Sequence, residues 1–379
     1  MKNNDIKIKK DAFGPEYVVR VYDSKVGMEG FLVIDNTANG PGKGGIRMTA
    51  NVTVEEGWRL ARAMTWKNAL AGIPFGGAKA GIIWPGGSDE LKKKYVQSFA
   101  RAIKFFTPHK YIAGPDVNTG EKEMRWFVEE TGNWRSATGK PADLCLKISG
   151  KAGKKCGIPH EFGSTGFGVA QAVLESAQAL GIDIRGARVA IHGFGNVGTF
   201  TYTHLRRAGA KIVAIADSHG AAFNDAGLDD IEVQKVIKKK QRISECKKCR
   251  KILNEEFWKI PVDFLIPASV TDVINETNKN GIRAKVIVEA GNIPMRENIE
   301  EELFKKGIVI IPDFVANAGG VISSYAEYRG YSPEKMFDLV ERKIRNSAKL
   351  VLEKSIRLKR NPREIALAIA KERVEAKMG

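Results

Sequence analysis

Three lysines sit where an ammonium group is physically awkward. Lys67 continues the apolar face of Leu60 and Met64 at helical spacing, so its charge points inward unless it escapes past the helix end. Lys79 lies in Gly72-Ile73-Pro74-Phe75-Gly76-Gly77-Ala78-Lys79-Ala80-Gly81, and Lys43 lies in Gly42-Lys43-Gly44-Gly45. Small neighbours let a substrate approach closely, and desolvation beside other cations lowers a lysine pKa into the range of a working acid or base. Asp116 adds a carboxylate in Gly114-Pro115-Asp116, just after the apolar run 111–113. Taken singly, each lysine is an ordinary surface residue, and Asp116 is equally well a cap for the segment starting near Thr119.

A second constellation binds rather than reacts. Gly193-Phe194-Gly195-Asn196-Val197-Gly198 follows a strand-like run ending at His192 and opens a helix running toward Arg207. The first glycine permits a tight turn, the second lets backbone approach a pyrophosphate, and the third allows close helix packing, with the helix N-terminus facing the phosphates. The next run ends at Asp217, where a carboxylate can accept the ribose hydroxyls of NAD. That charge repels a 2′-phosphate and favours NAD over NADP, although Ser218 and His219 could hydrogen-bond one.

These residues need a frame. The chain has 379 residues, 43% of them hydrophobic, enough for two domains with real cores. Disorder and collagen-like repetition are excluded. No apolar run is long enough for a membrane helix, and residues 1–10 are charged with no apolar core after them, so the expectation is a cytoplasmic protein without a membrane partner. Residues 17–22 and 31–35 read as strands. Thr53 with Glu56 reads as a capping box ahead of a first helix, and Ser88 as the start of a second. Beyond Gly166 a helix over 169–180 is followed by strand-length runs at 188–192, 211–216, 262–266, 285–288 and 308–311, rich in Val, Ile and Ala. Such runs between helical segments predict a buried parallel sheet.

The expected architecture is α/β in two domains. Residues 1–150 form an α/β substrate and catalytic domain, and residues 151–325 a doubly wound Rossmann-type nucleotide domain. Helices in 326–379 return to the first, and the reaction takes place in the cleft between the two.

At this point the motifs resemble a known family. Lys43-Gly44-Gly45-Ile46-Arg47, Met64-Thr65-Trp66-Lys67, Gly76-Gly77-Ala78-Lys79, Gly114-Pro115-Asp116, the glycine turn at 193–198, and Pro312-Asp313 through Asn317-Ala318-Gly319-Gly320-Val321 are similar, in order, to glutamate/leucine/phenylalanine/valine dehydrogenases, most closely the glutamate enzymes. The resemblance implies that Lys67 holds the substrate α-carboxylate, that Lys79 and Asp116 are catalytic, and that Thr165, Asn292 and Asn317 lie near the nicotinamide and its ribose. It also implies that Lys43 and Ser324 contact the substrate side chain. A buried γ-carboxylate needs a cation or donors, so these two favour glutamate, 2-oxoglutarate and ammonium as reactants. The competing reading within the family is a leucine, valine or phenylalanine dehydrogenase, supported by Asp35-Asn36-Thr37 shortly before Gly40-Pro41. A homo-oligomer is expected. The region before the first strands is shorter than in glutamate dehydrogenases, so a hexamer does not carry over.

Two features fall outside this reading. The formal charge is +17, and residues 235–251 hold nine Lys or Arg against one acid, Glu245. That footprint keeps a nucleic-acid binder as the alternative of another class, disfavoured because no binding motif or interleaved aromatic accompanies it. Four cysteines are too few for a disulfide scaffold. Cys246-Lys247-Lys248-Cys249 has half a zinc spacing, and Cys145 with Cys156 could complete a set, but free thiols are favoured and no metal site is assigned.

Overall fold

Alternating small and β-branched residues draw the first third of the chain into a mixed sheet in the computed structural model, which describes residues 8–147 and 154–379. Strands β1 (Tyr17–Asp23), β2 (Met28–Asn36), β3 (Gly42–Lys43) and β4 (Ile46–Thr49) precede helix α1 (Val54–Leu70). β5 (Gly76–Ile83), α2 (Asp89–Ile103), β6 (Tyr111–Ile112) and α3 (Glu121–Thr131) follow. The sheet order is β1-β2-β5-β3-β6, with β4 also pairing β5. β1 and β2 are antiparallel, and β1 alternates exposed and half-buried residues as an edge strand does. β5 is buried almost throughout although three glycines and two alanines accompany Lys79 in it. α1 lies directly on it: a Cβ at Gly77 would meet Ala61 O and Thr65 of that helix, so glycine sets the approach. Thr53 caps α1 by accepting from Glu56 N at 3.2 Å, but the Glu56 carboxylate pairs with Arg47 instead of closing the expected box.

A short hairpin, β7 (Cys145–Lys147) and β8 (Lys154–Cys156), registers Cys145 opposite Cys156. These two form a disulfide, and so do Cys246 and Cys249. This corrects the expectation of free thiols: strand pairing and a tight turn bring each pair of sulfurs into bonding range, which sequence separation does not disclose. Sulfurs so paired cannot ligate zinc.

The second sheet grows from α4 (Ser164–Ala179), β9 (Arg188–His192), α5 (Asn196–Arg207), β10 (Lys211–Asp217) and β11 (Gly220–Phe223). It continues through α6 (Asp230–Lys238), β12 (Arg250–Ile252), α7 (Asn254–Phe257), β13 (Val262–Pro267), β14 (Ala284–Val288), α8 (Glu297–Lys305), β15 (Val309–Ile311) and α9 (Asp313–Ala316). The order β12-β11-β10-β9-β13-β14-β15 places β9, the sheet's first strand in chain order, in the middle, parallel to both neighbours. Strand order therefore reverses beside β9, the switch point at which open α/β sheets bind ligands. The antiparallel edge β11–β12 was not expected. It absorbs the end of the basic run, whose Lys235 and Lys248 pair with Glu232 and Asp229.

Helices α10 (Gly319–Arg329), α11 (Pro333–Leu358) and α12 (Pro362–Met378) complete the chain. The chain divides into one unit of Met1–Phe162, Val321–Met336 and Ile369–Gly379, and another of Gly163–Gly320 and Phe337–Ala368. The expected boundary at 150/151 lies outside the described residues. Most of α11 and the start of α12 group with the nucleotide sheet, while residues 321–336 and 369–379 group with the first unit. No helix among the described residues is long and apolar enough to cross a membrane.

One buried ion pair ties the first unit's distant segments. Lys140 and Glu327 are both fully buried, with Nζ and Oε1 2.5 Å apart. Glu327 also accepts from Gly139 N at 2.7 Å, and the Lys140 ammonium lies 3.8 Å from the centre of the Trp134 ring. Removing one partner strands the other charge, so Lys140→Met should lower the unfolding free energy of this unit by about 3–5 kcal/mol. The double variant Lys140→Met/Glu327→Gln should lose markedly less in urea titrations. Equal losses would mean that the pair's charge balance is not what matters.

Candidate functional site

Lys79 sits mid-strand in β5, in register with Val33 of β2. Its neighbours are small because backbone passes close by. A Cβ at Gly44 would overlap Ala78 O, and one at Gly45 would meet Asp116 Cβ at 2.8 Å. The Gly44-Gly45 turn thus brings β5 and the 114–116 segment together, and Lys79 Nζ forms an ion pair with Asp116 Oδ2. The other Asp116 oxygen accepts from Arg47 Nε at 2.7 Å. Burial alone would raise the Asp116 carboxyl, but the Lys79 and Arg47 charges hold it below the usual carboxylate range. Burial lowers the Lys79 pKa against the pull of Asp116. The site therefore holds an ionised carboxylate beside an ammonium that gives up its proton more readily than usual.

Lys43 is more enclosed still, 3% exposed, with Nζ donating to Ala113 O at 3.0 Å. Burial lowers its pKa to about 7; Lys79 and Lys140 push the same way and Glu327 opposes them. The same Ala113 oxygen accepts from Thr138 N at 3.0 Å, and the buried Thr138 hydroxyl has no hydrogen-bond partner. Gly114 separates the two side chains; a Cβ there would overlap the Lys43 ammonium. Unspent donors on Lys43 and Thr138 make this a place for an anionic oxygen. Ser324 is buried on α10, one turn before Glu327, and Lys67 is half-buried in the last turn of α1.

Lys43, Lys79 and Asp116 thus come together as the sequence implied. Arg47, Thr138, Lys140 and Glu327 join them unforeseen. Arg47 stood in a motif already quoted, but nothing in the sequence ties Lys140 to a glutamate 187 positions away.

In the other unit the glycine turn has the form a pyrophosphate requires. Gly193 has φ +103°, and a Cβ there would meet Ala268 O at 2.6 Å. Gly195 has nothing within 4 Å of where a Cβ would be, which leaves its backbone open to a ligand. Gly198 fits against Gly193 O, and α5 begins at Asn196 with Val197 half-buried behind it. These residues fit a dinucleotide. Asp217 ends β10, but its two oxygens accept from His219 N and Ile243 N, each at 2.8 Å. Asn317 Nδ2 donates to Gly291 O and to Asn292 Oδ1, both at 3.1 Å, so the two asparagines lie side by side. Thr165 stands in the first turn of α4, against which Gly319 packs. Among the described residues no cluster of His, Cys, Asp or Glu could hold a metal ion.

The chain matches two sequence families. Residues 156–379 match the family described as Glutamate/Leucine/Phenylalanine/Valine dehydrogenase, and residues 15–133 match the Glu/Leu/Phe/Val dehydrogenase dimerisation domain. A glutamate dehydrogenase of Aeropyrum pernix is 35% identical over 361 residues, covering 89% of this chain and 83% of its own. An NADP-specific glutamate dehydrogenase of Saccharolobus shibatae is 35% identical over 381 residues, covering 95% and 88%. Among solved structures, the hetero-hexameric glutamate dehydrogenase of Thermus thermophilus, in a leucine-bound form, superimposes with a TM-score of 0.80 at 28% identity, over 96% of this chain and 89% of that one. Sequence, fold and site geometry agree, and the chain belongs to the glutamate/leucine/phenylalanine/valine dehydrogenase family.

Proposed function

We propose that the chain catalyses the reversible NAD(P)-dependent oxidative deamination of L-glutamate to 2-oxoglutarate and ammonia. The observation that carries this reading is the Lys79–Asp116 pair beside the enclosed Lys43 ammonium. Glutamate dehydrogenases of similar sequence support the choice of substrate over the apolar amino acids and over nucleic acid.

Each charge has a task. Lys43, with Ser324 nearby in sequence to Glu327, receives the substrate side-chain carboxylate, and the Thr138 hydroxyl supplies a further donor. Lys67 binds the α-carboxylate. In the deamination direction Asp116 accepts a proton from the substrate ammonium, leaving a neutral amine. A dinucleotide held at the 193–198 turn would supply the acceptor for the α-hydrogen as hydride. Lys79, once it has shed its own readily lost proton, takes a proton from water as the water attacks the iminium carbon; Asp116 returns its proton to the nitrogen, which departs as ammonia, and then takes up the hydroxyl proton as the carbonyl forms beside the Lys79 ammonium. Thr165, Asn292 and Asn317 orient the nicotinamide ribose, while Gly193, Gly195, Asn196, Val197 and Gly198 hold the pyrophosphate.

For the nucleotide itself we propose NADP alongside NAD. Asp217 spends both oxygens on backbone amides, which weakens the argument from its charge for NAD. The Ile243 amide it holds follows exposed Lys239, Lys240 and Arg242, whose charges suit a 2′-phosphate. The NADP-specific relatives support the same extension.

Initial rates with NAD and with NADP on glutamate, norleucine, leucine, valine and phenylalanine test this reading, which requires glutamate to be the best substrate. Lys43→Leu should cut kcat/KM for glutamate about 10- to 100-fold while sparing norleucine; an unchanged ratio would remove Lys43 from the side-chain pocket. With its pKa lowered to about 7, Lys43 is an ammonium below that pH and neutral above it. The preference for glutamate over norleucine should therefore be full in mild acid and decline as pH rises through about 7, in kcat/KM profiles that lose this slope in Lys43→Leu. Lys79→Ala should lower kcat by about 10²–10⁴-fold with nucleotide affinity retained by calorimetry. Parallel loss of both would indicate a folding defect.

A further inference from the structure

The loop after β14 holds an unusual backbone. Ile293 has φ +48° although it is β-branched, and its side chain is 51% exposed, so core packing does not enforce the conformation. Left-handed backbone at such a residue persists only where its surroundings over-determine it. Two hydrogen bonds do so: Ile293 N donates to Asp313 Oδ2 at 3.1 Å, and Ile293 O accepts from Asp272 N at 3.0 Å. Asp272, five residues beyond the end of the neighbouring β13, has φ +55° itself. Both stand beyond the carboxyl ends of central strands, where this sheet class places its ligand.

Asp313 is in turn held from behind. Its amide donates to Glu289 Oε2 at 2.8 Å, and its Oδ1 accepts from Arg363 Nη1 at 3.3 Å. Arg363 Nη2 donates to the same Glu289 oxygen at 2.6 Å, and Nε to Glu300 on α8. Asn361 holds Glu301 at 3.1 Å and accepts from Arg363 N at 2.9 Å, so the start of α12 is pinned to α8. Asp313 also opens α9, whose carbonyl receives Asn317 N at 2.8 Å, and Asn317 is bonded to Gly291 and Asn292. One guanidinium thus crosslinks the acids that fix both faces of the 290–293 loop.

We infer that Arg363 is a positioning residue for the nicotinamide-ribose end of the dinucleotide: through Asp313 it holds Ile293 in a left-handed backbone and so presents Asn292 and Asn317. This rests on the proposed placement of nicotinamide at those two asparagines.

The test compares NADP⁺ with 2′,5′-ADP, which carries only the adenosine end, by calorimetry, together with saturation-transfer NMR of the nicotinamide protons. Asp313→Ala and Arg363→Lys should weaken NADP⁺ about tenfold and leave 2′,5′-ADP within about twofold. KM for the dinucleotide should rise and the saturation transfer fade, while KM for glutamate stays put. Adding Ile293→Gly to Asp313→Ala should restore most of the NADP⁺ affinity, because glycine adopts that φ without strain. Parallel weakening of both ligands, or no recovery with glycine, overturns the inference. If Arg363→Lys does not fold, the Asp313→Ala pair decides alone. Absent saturation transfer in the unmodified chain would instead reject the asparagine placement itself.

Discussion

An ammonium ion taken out of water costs several kcal/mol unless fixed acceptors replace its hydration, and the first unit buries three of them: Lys43, Lys79 and Lys140. Everything around them answers that cost. Asp116 compensates Lys79 while Glu56 answers the neighbouring Arg47, Glu327 and the Trp134 ring compensate Lys140, and Lys43 is left with a single carbonyl and a lowered pKa. The cluster is thus balanced everywhere except at Lys43, the place where the proposed function puts a substrate carboxylate. On that proposal binding and charge compensation are the same event, and a carboxylate-bearing side chain gains over an apolar one of equal length.

The second unit solves a different problem, that of holding backbone in place where side chains cannot. Beyond the ends of β9, β13 and β14 the chain turns through main-chain amides and short polar residues, and at Gly195 the turn is open. Rigidity comes from behind, through acids clustered on one arginine. Burial pushes Glu289 well above the usual carboxylate range even with Arg363 beside it. Burial raises Glu300 in the same way, against the pull of the same guanidinium.

Periodicity made most of this frame legible. The strand runs at 188–192, 211–216 and 262–266 appear within a residue of their expected bounds, because buried parallel strands are continuous apolar runs. β5 was hidden, since its glycines and lysine imitate a loop, and only packing against α1 makes it a central strand. Lys43, Lys79 and Asp116 were legible as chemistry because each stands in a run of small residues. Lys140, Glu327, Arg47 and Arg363 were not, because their meaning lies in partners tens to hundreds of positions away. The cysteines show the same limit: spacing suggested thiols or half a metal site, and strand register joins them instead.

The first unit is assembled from three separate stretches of chain. A ribosome therefore delivers the nucleotide sheet through Gly320 before it has made Glu327, the counterion of Lys140, or Arg373, which donates to the carbonyls of Ala69 and Leu70 at the end of α1. Until those last segments emerge, Lys140 lacks its buried partner and the lysine-rich pocket cannot close in its final form. Synthesis thus orders maturation: the strands of the nucleotide sheet are all made before the first unit has its last segments, and the lysine-rich pocket waits for them.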